Sequence, residues 1–167
     1  MIHTVSVLVE DKPGALARIT NMFSRRGYNI DELAVGPTER VGISRITLRV
    51  ECTDVGLDQI EKQMHKLVNV LKVSELKPGE AIERELLLIK VAAPPERRSE
   101  MMALADHYKA RVADLGPEEI LFELVGLPEE VEAFEELLRP YGIKESARTG
   151  RVGLGRAFTK KPTPVKN

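Results

Sequence analysis

Two successive stretches of the chain, each about seventy residues long, run through one order of hydrophobic patterns: strand, helix, strand, strand, helix, strand. In the first, Val5, Val7 and Val9 alternate with Thr4, Ser6 and Leu8, the two-residue period of a strand. Asp11-Lys12-Pro13-Gly14 breaks it, with Asp11 able to cap and Pro13 suited to a first helical turn. Leu16, Ile19, Met22 and Phe23 share one helical face, closed by Arg25-Arg26-Gly27. Residues 28–35 read as a second strand. Ile46, Leu48 and Val50 alternate with Arg45, Thr47 and Arg49 in a third. Asp54 caps a helix that carries Leu57, Ile60, Met64, Leu67 and Val68, and Leu71 and Val73 belong to a fourth strand. The second stretch repeats the order without repeating the residues. Leu87, Ile89 and Val91 form a strand. Met101, Leu104, Ala105 and Tyr108 form a stripe, and strands follow at 110–115 and 120–126. Val131, Phe134, Leu137 and Leu138 form a second stripe, and residues 143–148 read as the last strand. This order is that of the ferredoxin-like split unit. The expected fold is α+β: two βαββαβ domains, each a four-stranded antiparallel sheet covered on one face by two helices.

Charge locates the joint. Residues 1–78 hold 11 basic and 10 acidic side chains, residues 79–148 hold 9 and 16, and residues 149–167 hold 5 and none. Pro78-Gly79 interrupts regular structure, so the expected domains are 1–78 and 79–167, the second ending in a basic tail with Lys160 and Lys161. Units this small bury little core alone and leave sheet edges open, and homodimerisation covers such edges.

Composition excludes several classes. A net charge of −1 gives no general attraction to nucleic acid or to an anionic membrane. No apolar run reaches the length of a membrane span, and Met1 leads straight into a strand pattern, so a cytoplasmic protein without a signal peptide is expected. One cysteine, Cys52, allows no internal disulfide, and His3, His65 and His107 are too far apart in sequence to suggest a metal site. No dinucleotide or Walker-type phosphate loop follows a strand. Gly150, Gly153 and Gly155 read as a turn-rich tail, and the acidic run from Glu129 to Glu136 as a solvated helix face. No nucleophile–base or acid–base pair stands out, so no catalytic residue is assigned.

The informative stretch is the first strand-to-helix turn. A strand feeding Asp11-Lys12-Pro13-Gly14-Ala15-Leu16 places unpaired N–H groups and a positive dipole end at a helix N-terminus, and both favour a carboxylate. Gly14 lets a ligand approach. Asn29 offers a donor and an acceptor, and Leu16 and Ile30 offer apolar surface. An amino acid would suit such a set. On the residues alone, a tight turn at Gly14 and a local bond at Asn29 are equally good readings.

The stretch Glu10-Asp11-Lys12-Pro13-Gly14-Ala15-Leu16-Ala17-Arg18-Ile19 resembles the opening motif of ACT domains, the amino-acid-sensing regulatory modules. With Phe23 to Ile30, Ser44 to Thr47, Gln59 to Val70, Glu83 to Val91 and Ala147 to Leu154, nearly the whole chain is similar to the small regulatory subunits of acetolactate synthase, also called acetohydroxyacid synthase. The resemblance implies a non-catalytic subunit of branched-chain amino-acid synthesis. It implies a homodimer paired through ACT domains, with valine at the dimer interface held by Asp11, Gly14, Ala15, Leu16, Asn29 and Ile30. Asp11 stands where the family often has Asn. The implied partner is the catalytic large subunit, which carries thiamine diphosphate, FAD and Mg²⁺ and is activated and made valine-sensitive by the small subunit. No cofactor is expected on this chain. Three other readings are a free-standing ACT sensor for another enzyme, a ferredoxin-like RNA-binding module and an enzyme in its own right. For the RNA-binding module, Arg45 to Val50 supplies arginines but no aromatic ring.

Overall fold

The computed structural model describes residues 1–157. Lys160 and Lys161 of the expected basic tail lie outside the described residues. The elements follow the expected order. They are β1 (Ile2–Glu10), α1 (Ala15–Arg25), β2 (Ile30–Pro37), β3 (Ile43–Glu51), α2 (Asp54–Met64) and β4 (Val70–Glu75), then β5 (Ala81–Ala92), α3 (Arg98–Tyr108), β6 (Arg111–Leu115), β7 (Glu119–Gly126), α4 (Pro128–Leu138) and β8 (Ile143–Arg148). A further strand, β9 (Val152–Gly155), follows. The chain forms two compact units. One joins Met1–Asp31 and Val35–Ile82 to the segment from Gly153, and the other joins Glu83–Val152 to Glu32–Ala34.

The first sheet has the strand order β2-β3-β1-β4, with β1 antiparallel to both β3 and β4. Val5, Val7 and Val9 lie opposite Leu48, Ile46 and Ser44 and pack inward. They meet Ala15, Ile19, Met22 and Phe23 of α1 and Leu57, Ile60 and Met64 of α2, all buried. Leu16, placed on the inward face from the sequence, is 37% exposed. The helix begins at Ala15, and positions 15, 19, 22 and 23 are its proper 3.6-residue stripe. Val68 also turns outward, because α2 stops at Met64 and the chain leaves the helical period. The cap of α2 is Thr53, whose hydroxyl accepts from Gly56 N–H at 3.1 Å; Asp54 is the first helical residue instead.

The second unit repeats the topology, β6-β7-β5-β8. Leu87, Ile89 and Val91 of β5 and Ile120, Phe122 and Leu124 of β7 bury against Met101, Ala105, Val131, Phe134 and Leu138. Phe122 and Phe134 meet edge-on, 5.9 Å between centroids. Full burial of one such side chain contributes about 1.5–3 kcal/mol. Leu137, expected inward, is 43% exposed on the turn between the buried Phe134 and Leu138. The expected four-stranded sheet has five strands, because β9 also pairs with β5. Residues 152–155, taken from sequence as turn-rich, gain strand form through that pairing. Arg156 N–H, just after β9, donates at 2.9 Å to the carbonyl of Glu80, the residue before β5.

Candidate functional site

The β1–α1 turn is built by backbone bonds. Asp11 N–H donates to the Gly42 carbonyl at 2.8 Å, Glu10 N–H to that of Asn69 at 2.9 Å, and Ala15 N–H to that of Lys12 at 3.1 Å. The cap of α1 is Gly14, not Asp11, and Pro13 precedes the helix rather than opening it. Gly14 has φ +84°, a left-handed conformation that glycine adopts without the penalty a side chain brings. A Cβ placed there would meet nothing within 4 Å, so the space above Gly14 is open. Its carbonyl accepts the first helical bond, from Arg18 N–H at 3.0 Å. Among the described residues, the N–H groups of Gly14, Leu16 and Ala17 have no acceptor. Ala15, expected as a donor, is committed to Lys12. Ala17 is a donor the sequence reading missed, since the offset depends on where the helix starts.

Side chains brace this turn. Glu10 bonds Lys12 Nζ at 2.9 Å and Asn69 Nδ2 at 3.0 Å, and Asn69 Oδ1 accepts from Arg18 at 2.7 Å. The hydrogen bond and charge of Lys12, with the Asn69 amide, hold the Glu10 carboxyl below the usual carboxylate range. Asn69 is itself buried. Asp11 is exposed, Leu16 half in solvent, and Ala15 buried.

Asn29 and Ile30 stand at the start of β2. Asn29 is exposed and donates to Asp31 Oδ1 at 2.6 Å, the local bond the sequence allowed; its carbonyl oxygen stays available. Ile30 is half-buried. Within one chain these two residues do not meet Gly14. The far end of β2 lies beside the Gly14 turn, since Thr38 N–H donates to Ile43 O and Gly42 O accepts from Asp11. Seven residue steps separate Ile30 from Pro37, about 23 Å of strand. β2 ends the strand order of its sheet.

Elsewhere the chemistry is sparse. The helix-free face of the first sheet carries Thr4, Ser6, Arg45, Thr47 and Arg49, with Arg45 donating to Ser6 Oγ at 2.7 Å and no aromatic ring among them. Burial pushes the Cys52 thiol up, away from a reactive thiolate. His65 is an exposed residue after α2. His3 is buried with Nδ1 2.8 Å from Glu75 Oε1, a partnership across 72 residues that local sequence does not announce. Among the described residues no group of three His, Cys, Asp or Glu could hold a metal ion, and no helix is long and apolar enough to cross a membrane.

The split βαββαβ fold with its glycine-capped helix start is that of an ACT-type module. Residues 5–72 match the family described as AHAS small subunit-like ACT domain, and residues 84–157 match that described as small subunit of acetolactate synthase. The chain belongs to the acetolactate synthase small-subunit family. It is 48% identical over 160 residues to the probable acetolactate synthase small subunit of Archaeoglobus fulgidus, covering 96% of this chain and 100% of that one. It is 47% identical over 154 residues to the acetolactate synthase small subunit of Mycolicibacterium smegmatis, covering 92% and 91%. The crystal structure of the acetolactate synthase small subunit from Thermotoga maritima superposes with a TM-score of 0.90 at 38% identity, over 95% of this chain and 99% of that one.

Proposed function

We propose that this chain is a regulatory subunit of branched-chain amino-acid biosynthesis. It activates an acetolactate synthase catalytic large subunit in the cytoplasm and makes it sensitive to valine. Thiamine diphosphate, FAD and Mg²⁺ belong to that partner, and this chain contributes binding and coupling. The observation that carries the reading is the placement of the two halves of the site at opposite ends of β2. Two copies joined antiparallel along β2 bring Asn29 and Ile30 of one copy to the Gly14 turn of the other. The valine carboxylate then lies on the free N–H groups of Gly14, Leu16 and Ala17 at the positive end of α1. Its ammonium faces Asp11 and the Asn29 carbonyl oxygen of the second copy, and its isopropyl group rests on Leu16 and Ile30. A site that needs two copies links effector binding to dimer geometry. A differential affinity worth about 1–3 kcal/mol between two states of the assembly is enough for ordinary feedback control.

Calorimetry of the chain with valine, leucine and isoleucine tests this directly. Gly14→Asp sets a second carboxylate against that of the ligand and fills the open space. Valine binding should weaken at least a hundredfold while activation of the large subunit persists. Undiminished valine affinity in that variant would remove the site. Failure of the wild-type chain to raise the activity of a purified large subunit would remove the regulatory reading.

A further inference from the structure

We propose that the basic groove between α1 and α2 is the docking cleft for an acidic segment of the catalytic large subunit, an inference that rests on the regulatory reading above. The groove encloses about 530 Å³. Arg18, Arg25, Arg26 and Lys66 line it over a floor that includes Met22 and Leu67, and no carboxylate lines it. Four positive charges gathered here contrast with a net charge of −1 over the chain. None of the four forms an ion pair among the described residues. Among the described residues, Glu10 is the carboxylate linked to them; it is held by Lys12 and reaches Arg18 through the neutral amide of Asn69.

Helix dipoles account for part of this pattern and leave part over. Arg25 and Arg26 close α1, and Lys66 follows the end of α2, where cations are favoured. Arg18 sits in the N-terminal half of α1, where the dipole disfavours a cation, and completes the groove from that end. Arg18, Met22 and Arg25 fall at i, i+4 and i+7 on one face, so the two arginines stand about 10 Å apart along the axis. A lone phosphate or carboxylate does not span that distance. An extended polypeptide places alternate side chains about 7 Å apart on one face, so two acidic residues at such spacing reach both ends. Met22 and Leu67 give an apolar floor for an aliphatic side chain of the same segment. Unneutralised like charges repel one another, and an acidic occupant relieves that repulsion while steering association. The groove also shares α1 with the effector turn, since Arg18 N–H bonds to the Gly14 carbonyl. A shift of α1 on valine binding is therefore felt by the docked segment.

The test pairs Arg25→Glu with Lys66→Glu in the full chain and measures affinity for the purified large subunit between 50 and 300 mM salt. A second variant, Arg25→Gln with Lys66→Gln, removes charge without reversing it. Affinity should fall at least tenfold in the first and less in the second, and the salt dependence should flatten in both. Valine binding by calorimetry should stay within twofold of wild type, which also reports that the fold is intact. Wild-type affinity and an unchanged salt slope in both variants overturn the docking cleft and leave the regulatory reading standing. Absence of any complex with the wild-type chain overturns that reading itself. Tight binding of inorganic pyrophosphate to the isolated chain, with association to the large subunit unaltered by the substitutions, overturns the cleft in favour of a small-anion site.

Discussion

The turn after β1 and the turn after β5 occupy the same step of the same topology, and their backbones are wired alike. Asp11 N–H bonds to Gly42 O at 2.8 Å in the first; Ala93 N–H bonds to Glu118 O at 2.7 Å in the second. Glu10 N–H bonds to Asn69 O, and Ala92 N–H bonds to Gly142 O. Beyond that frame they diverge. The first turn has a left-handed glycine and N–H groups facing solvent. The second has Pro94 and Pro95, neither of which carries an N–H, and then a short 3₁₀ turn, Pro95–Arg97. Arg98 fills the position further: Nε donates to Ala93 O and Nη2 to Gly116 O, both at 2.9 Å, and Nη2 also to Pro117 O. Arg98 takes up carbonyls of the second turn from within the chain, whereas the first turn leaves the N–H groups of Gly14, Leu16 and Ala17 without an acceptor among the described residues. One topology thus carries an open helix start in one domain and a proline- and arginine-filled turn at the equivalent point of the other.

The second domain differs again on its helix-free face. Leu86, Leu88 and Leu121 lie there with the exposed Val125, around a shallow depression of about 210 Å³ near Leu88 and Leu121. The first sheet shows hydroxyls and arginines on that side.

Substitutions at the two turns test this contrast. The largest effect is expected from Arg98→Ala, which leaves the carbonyls of Ala93, Gly116 and Pro117 without their charged donor. A loss of about 2–3 kcal/mol in chemical unfolding is expected, with valine affinity untouched. No loss would mean that the prolines alone hold the second turn. A smaller effect follows Asn69→Ala, which unties Glu10 and Arg18 at the first turn; about 1–2 kcal/mol should be lost, together with some valine affinity. The corresponding residue in the second domain, Gly142, has no side chain for such a tie, so Gly142→Ala should leave valine binding alone. The smallest effect concerns pH. The folded-state pKa of Glu10 lies below its unfolded value, so its contribution is complete above the ordinary carboxylate range and disappears as pH falls through the folded value. Titration of that carboxyl by NMR should show the depressed midpoint, and Lys12→Ala should raise it. A midpoint indifferent to Lys12 would remove the pair as its cause.

What was legible in the residues, and what was not, follows the range of the interactions. Val5, Val7 and Val9, or Leu87, Ile89 and Val91, declare a strand because neighbours two apart share a face, and the stripe from Ile19 to Phe23 declares a helix in the same way. Gly14 and its open helix start could be found because a break, a proline and a glycine stand together. β9 could not, since four residues containing two glycines have no period and owe their form to β5, some seventy positions earlier. The same holds for Thr53 as the cap in place of Asp54, and for the Ala15 donor taken by Lys12, where a shift of one residue settles the hydrogen bond.

Local pattern was enough to set the element order and the inward face of each central strand. These depend on contacts between residues at most a few positions apart. The folded chain had to be seen before it was clear that Asn69 braces the β1–α1 turn, that Arg98 closes its counterpart, that four cations gather between α1 and α2, and that Asn29 lies a strand's length from Gly14. Each of these depends on which distant segments the folded sheets and helices bring side by side, and the order of neighbouring residues holds no record of that.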